Sequence, residues 1–111
     1  MERKKLESMG FGTKAVHGGH KTDAATGALV TPIYQTSTFV FETAEQGGRR
    51  FALEEDGFIY TRLGNPTNSQ VEEKVAILEG AEACVSTGSG MGAVSSALWT
   101  ALKAGDHIVA A

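Results

Sequence analysis

The chain has 111 residues, 41% hydrophobic and 21% charged, with a formal net charge of -3. That length suits one small domain or part of a larger one, and the missing basic excess argues against a nucleic-acid partner, whose phosphates demand clustered cations. The single cysteine, Cys84, excludes an intrachain disulfide and any site of paired thiols.

In chain order, "MERKKLESMGFG" is basic, but no apolar run follows it. It reads as neither a secretory signal nor a membrane span, and the protein as cytoplasmic. The next residues, to about 30, show no sustained period, and "VHGGHKTDAATGALVTP" reads as an ordered loop. His17 and His20 stand three apart there, too few ligands for a zinc site. "IYQTSTFVF", Ile33 to Phe41, is rich in β-branched and aromatic residues and is predicted extended.

Thr43 and Gln46 fit a capping box for a short helix through "EQGGRRFALEE". Its Arg49 and Arg50 are placed on an exposed face, and "LEED" on a solvated surface. Asp56-Gly57 ends the helix, and "FIYTRL" is read as an extended link. Asn65 can then cap a helix with Pro66 at its first position, where a missing donor costs nothing. Val71, Val75 and Leu78 form its apolar stripe, and Gly80 sits where a left-handed C-cap is expected.

"ACVS", Ala83 to Ser86, is predicted as a short buried strand, with Cys84 a buried small hydrophobe. "TGSGMG" is a glycine-rich turn. "AVSSALWTALK" is a helix with Val94, Ala97, Leu98 and Ala101 on one stripe, closed by Gly105. "HIVAA" is a further strand, with a structural His107 at its start. Strand, glycine-rich turn, helix and strand make a βαβ unit. A parallel sheet needs more strands and two covered faces, so the chain is expected to be the front end of a larger protein.

Two features carry candidate chemistry. A helix start after a glycine-rich turn presents unpaired N–H groups and the positive end of the dipole. "TGSGMG" therefore reads as a phosphate cradle whose donors are the N–H groups of Ser89, Gly90 and Met91, with the Ser89 hydroxyl in reserve. Close helix–strand packing through small residues explains the same glycines, and the spacing matches neither the nucleotide P-loop nor the dinucleotide fingerprint. The second feature is Tyr60 and Arg62. Two apart in an extended segment, they share a side and can converge on a phosphate or carboxylate. An arginine lying along an aromatic ring is the other reading.

From about Gly12 onward the chain resembles the N-terminal part of the Cys/Met-metabolism enzymes that depend on pyridoxal phosphate. "YTRLGNPT" followed by the "SGMGA" turn carries the likeness, with "TPIYQTSTFVF" and "AGDHIV" in support. The resemblance implies the aspartate-aminotransferase (fold type I) architecture of pyridoxal-phosphate-dependent transferases, an α/β fold. Only the N-terminal arm and the first βαβ unit of the large domain would be present. Residues 1–60 would be an arm packing on a neighbouring subunit, and 61–111 the start of the cofactor-binding domain.

The resemblance also implies pyridoxal 5'-phosphate as cofactor, held by Ser89, Gly90 and Met91 of one subunit and by Tyr60 and Arg62 of its neighbour. The assembly would be a homodimer or homotetramer with no nucleic-acid, membrane or metal partner. The implied activity is that of a carbon–sulfur lyase acting on a sulfur amino acid, or of a sibling sulfhydrylase or synthase. The family's cofactor-bearing lysine matches none of Lys4, Lys5, Lys14, Lys21, Lys74 or Lys103, so the 111-residue chain alone is expected to be inactive. A stand-alone phosphate-binding or interaction module is the alternative of another class, against which the unfinished sheet argues.

Overall fold

Helices supply the regular structure of residues 11–101. In the computed structural model they are α1 (Phe11–His17), α2 (Ala44–Phe51), α3 (Pro66–Glu79) and α4 (Gly90–Ala101). The structure describes Leu6 and residues 8–110. Lys4 and Lys5 of the basic N-terminal stretch, and Ala111 of the final predicted strand, lie outside the described residues.

The starts of the three long helices follow their side chains. Thr43 Oγ1 accepts the Gln46 N–H at 3.1 Å, and Gln46 Oε1 reaches back to the Glu42 N–H at 2.8 Å. Asn65 Oδ1 accepts the Thr67 N–H at 2.8 Å, with Pro66 at the first position of α3. Ser89 Oγ accepts the Gly92 N–H at 3.0 Å. Each side-chain oxygen meets one of the N–H groups that a helix start leaves without an intrahelical partner. Gly80 ends α3 in the left-handed conformation, φ 66° and ψ 23°, as expected. Gly105 does not close α4. That helix stops at Ala101 with Leu102 extended, and Gly105 serves the following turn.

The helix α1 falls where no sustained period was found, and its last residues, Val16 and His17, lie in the expected loop. Gly10 offers it no capping side chain, so no local start signal exists, and its support comes from packing against α3. Gly19 makes that approach possible. It has φ 70°, and a Cβ there would lie 2.8 Å from the Gln70 carbonyl oxygen. The buried side of α3 is consequently Ala76 and Ile77, 2% and 5% exposed. The expected stripe is corrected: Val71 and Val75 face outward, because the glycines of the α1 loop dock on the other flank. The stripe of α4 is open as well, for α4 has no buried residue.

The expected sheet is also reduced. The extended run from Ile33 pairs at Thr38 and Tyr60 in one antiparallel bridge. The bonds Phe39 N–H to Ile59 carbonyl (3.1 Å) and Thr61 N–H to Ser37 carbonyl (2.8 Å) flank it. Residues 83–86 and 107–110 are not assigned as strands. A strand is stabilised by ladder bonds to a neighbour, and among the described residues these two segments bond to none. Ser86 is tied instead to α3, its N–H and hydroxyl both donating to Glu72 Oε1 at 2.7 and 2.6 Å. Cys84 is half-buried rather than buried, since no second layer covers it. No described helix is long and apolar enough to cross a membrane.

Candidate functional site

Tyr60 and Arg62 do meet, but by a turn and not by the pleat of an extended strand. The Tyr60 carbonyl accepts the N–H groups of Leu63 (2.8 Å) and Gly64 (3.0 Å), which folds residues 60–64 back on themselves. The Arg62 guanidinium carbon then lies 5.3 Å from the Tyr60 ring centroid. Stacking engages the guanidinium face and leaves its edge of N–H donors open. Among the described residues neither that edge nor the Tyr60 hydroxyl has a hydrogen-bond partner.

The segment before this pair is braced more firmly than its sequence suggests. Arg49 donates to Glu55 Oε2 from Nε (3.0 Å) and Nη2 (2.8 Å), and Gln46 Nε2 donates to Glu55 Oε1 at 2.9 Å. The Arg50 guanidinium tucks beneath the loop, 5.8 Å from the Phe41 ring centroid, with Nη1 3.5 Å from the Phe58 carbonyl. Its Nε is buried 3.4 Å from Glu55 Oε1, in an ion pair without hydrogen-bond geometry. A Cβ on Gly57 would fall 2.4 Å from that Nε. So Arg50 is not on an exposed face, and Glu55 of the "LEED" run is a bonded acceptor. Arg49's hydrogen bonds first, then Gln46's, hold its carboxyl below the usual glutamate range. Only the pairing of Arg49 and Arg50 with Glu54 and Glu55 a few residues on could have signalled this cluster.

The second set of candidates gathers at the start of α4. Ser89 is the N-cap, Gly90 and Met91 the first two helical residues. Thr87 Oγ1 donates to the Ser89 carbonyl at 2.7 Å and stiffens the turn. With Ser89 Oγ accepting from Gly92, its hydroxyl proton stays free to donate. The N–H groups of Ser89, Gly90 and Met91 have no acceptor among the described residues. Nothing lies within 4 Å of where a Cβ on Gly88 or Gly90 would stand, so a ligand can approach this backbone closely. Unobstructed N–H groups, a hydroxyl and a helix dipole are a donor set suited to a phosphate dianion, and the residues fit the phosphate of pyridoxal phosphate. No hydrogen bond, ion pair or ring contact joins this set to Tyr60 and Arg62 among the described residues.

His20 Nδ1 lies 3.3 Å from Gln70 Nε2, and no group of three or more His, Cys, Asp or Glu among the described residues could hold a metal.

Comparison with known proteins gives the family. Residues 12–111 match the family described as Cys/Met metabolism PLP-dependent enzyme. The L-methionine gamma-lyase of Porphyromonas gingivalis is 66% identical over 110 residues, which cover 99% of this chain and 27% of that protein. The homocysteine synthase of Schizosaccharomyces pombe is 45% identical over 104 residues, 94% of this chain and 24% of that protein. The solved metB structure from Corynebacterium glutamicum superposes with a TM-score of 0.79 at 36% identity, over 92% of this chain and 25% of that one. The chain thus spans about a quarter of the length of the relatives it matches. With a family match that begins at residue 12 and takes in both candidate sets, the chain belongs to the pyridoxal-phosphate-dependent enzymes of Cys/Met metabolism.

Proposed function

We propose that this chain is the N-terminal part of a methionine γ-lyase, which converts L-methionine to methanethiol, 2-oxobutanoate and ammonia by α,γ-elimination. The observation that carries this is the 66% identity to an L-methionine gamma-lyase, against 45% to a homocysteine synthase. The sibling activities of the family, cystathionine γ- and β-lyase, cystathionine γ-synthase and O-acetylhomoserine sulfhydrylase, are the runners-up. Measuring methanethiol release from methionine by the whole enzyme, beside cleavage of cystathionine and sulfide incorporation into O-acetylhomoserine, separates them. Methionine turned over more slowly than either alternative substrate sinks the first reading.

In the proposed site, the N–H groups of Ser89, Gly90 and Met91 bind the cofactor phosphate of their own subunit at the α4 start. Tyr60 and Arg62 reach the phosphate in a neighbouring subunit, the phenol giving one hydrogen bond and the guanidinium edge two. Residues 1–60 are the arm that packs on that neighbour and 61–111 begin the fold type I cofactor domain, in a cytoplasmic homodimer or homotetramer. Bound pyridoxal phosphate supplies the electron sink for carbanion chemistry at the amino acid. The residues of this chain anchor and orient it. The lysine that carries it lies elsewhere in the whole protein, so the 111 residues alone have no lyase activity.

Arg62→Ala in the whole enzyme is expected to weaken cofactor binding roughly ten- to a hundredfold, the scale of a lost charge-assisted contact. Mixing Arg62→Ala protomers with protomers lacking the cofactor-bearing lysine should restore activity, because each hybrid dimer keeps one intact site. Hybrids that form and stay inactive refute the placement of Arg62 across the interface.

A further inference from the structure

Asn65 is the one buried polar side chain among the described residues, 2% exposed. Its amide makes three hydrogen bonds, two to backbone groups and one to a side-chain hydroxyl. Oδ1 accepts the Thr67 N–H at 2.8 Å, and Nδ2 donates to the Tyr34 carbonyl and to Thr61 Oγ1, both at 3.0 Å. The circuit closes on itself. The Thr61 hydroxyl donates onward to the Thr36 carbonyl, and the Tyr34 N–H donates to Thr67 Oγ1 at 2.9 Å.

Capping α3 needs only the oxygen. Ser, Thr and Asp cap as well as Asn, and in this chain Thr43 and Ser89 do so with hydroxyls. Only an amide offers an acceptor and two donors from one planar group. One donor here goes to Thr61, inside the turn carrying Tyr60 and Arg62, and the other to the Tyr34 carbonyl of the extended run. Thr61 lies between the pair and Asn65 directly follows the turn. Without Nδ2, the turn would keep its local Tyr60 carbonyl bonds and the Thr61 bonds to the Thr36 and Ser37 carbonyls, but lose the link through Asn65 to the Tyr34 carbonyl.

We infer that Asn65 is a positioning residue for the Tyr60–Arg62 anion grip, its Nδ2 fixing the 60–64 turn on the 34–36 segment while its Oδ1 starts α3. This rests on the reading of Tyr60 and Arg62 as phosphate ligands. Arg62 projects from a short turn, and a small shift of such a group costs a large part of its binding. Burial makes the amide obligatory, because a buried donor or acceptor left unpaired carries its full desolvation penalty.

The test is a double-mutant cycle in the whole enzyme: wild type, Asn65→Asp, Arg62→Ala and the combination. Asp keeps the cap oxygen and removes both donors. The readouts are the dissociation constant of pyridoxal phosphate from the apoenzyme by equilibrium dialysis, and the apoenzyme's thermal midpoint. Asn65→Asp should weaken cofactor binding about tenfold, the scale of one lost contact to a charged group. In the Arg62→Ala background it should weaken binding no further, since the grip through which it acts is gone. A loss that repeats in full in that background, or unchanged affinity in Asn65→Asp alone, overturns the proposal and leaves the grip reading standing. Unchanged affinity in Arg62→Ala overturns the grip reading and this inference with it. Should Asn65→Asp not fold, Thr61→Ala removes the hydroxyl that Nδ2 holds, at a site outside the cap, and the same non-additive pattern is required of it.

Discussion

Residues 20–70 and residues 81–110 are built on different terms. In the first stretch, contacts between residues far apart in sequence set the geometry: Tyr34 to Thr67, Asn65 to Tyr34, Thr61 to Thr36, His20 to Gln70. In the second, order is local. The cradle residues hold their arrangement through Ser89 Oγ, the Thr87 hydroxyl and the helix they start, and the bonds of Ser86 to Glu72 supply the side-chain tether back to α3. The difference teaches that the two halves of the proposed phosphate site depend on different things. The grip is positioned by tertiary structure, and the cradle by the chemistry of a helix start.

That contrast can be broken by measurement, and the largest effect belongs to Ile77. In the 111-residue chain, Ile77→Ala is expected to cost about 3 kcal/mol, as a buried aliphatic truncation does. Leu98→Ala, on the open face of α4, should cost at most about 0.5 kcal/mol. Denaturant melts of the two variants decide it, and equal losses would mean that the second stretch has a core after all. Next comes Ser89→Ala, expected to remove about 1 kcal/mol from α4 as the loss of a cap does. Amide exchange should quicken at Gly92 and Ala93 while α3 keeps its protection. If α3 amides quicken equally, the cradle is not locally ordered.

The smallest effect is with pH. Glu55 is held below the usual carboxylate range by Arg49 and Gln46, and Asp23 by the Thr26 hydroxyl and then the Thr26 N–H. A carboxyl lowered in the folded state contributes stability above its unfolded value and loses it as pH falls through the folded one. Both groups are solvated, so the acid-side decline should be slight, and Glu55→Gln should flatten it. A urea midpoint that falls as steeply in Glu55→Gln as in the parent would remove Glu55 as a cause.

What could be read from the residues alone follows the same division. The ends of α3 were legible because Asn65, Pro66 and Gly80 act within a turn of themselves. The cap of α2 was legible for the same reason, whereas α4 starts at Gly90, inside the stretch read as a glycine-rich turn and ahead of the helix read from Ala93. α1 was not, because Gly10 carries no cap and the helix leans on α3 through Gly18 and Gly19. The side of α3 that is buried was misread, since the choice between Val71–Val75 and Ala76–Ile77 is made by the partner. The strands at 83–86 and 107–110 have the right composition, but pairing is a property of two segments. Tyr60 and Arg62 were legible as neighbours, though the turn that joins them replaced the extended link. Asn65 was visible as a cap. Its two other bonds reach Tyr34 and Thr61, and no spacing rule connects positions 31 apart in sequence.

The hydrogen-bond circuit around Asn65 also has a place in the order of the chain. Every group in it, from Tyr34 to Thr67, precedes the glycine-rich turn in the chain. The circuit that holds Arg62 therefore needs no residue of the cradle to close. The proposed grip is complete in a stretch of chain that contains no part of the proposed cradle.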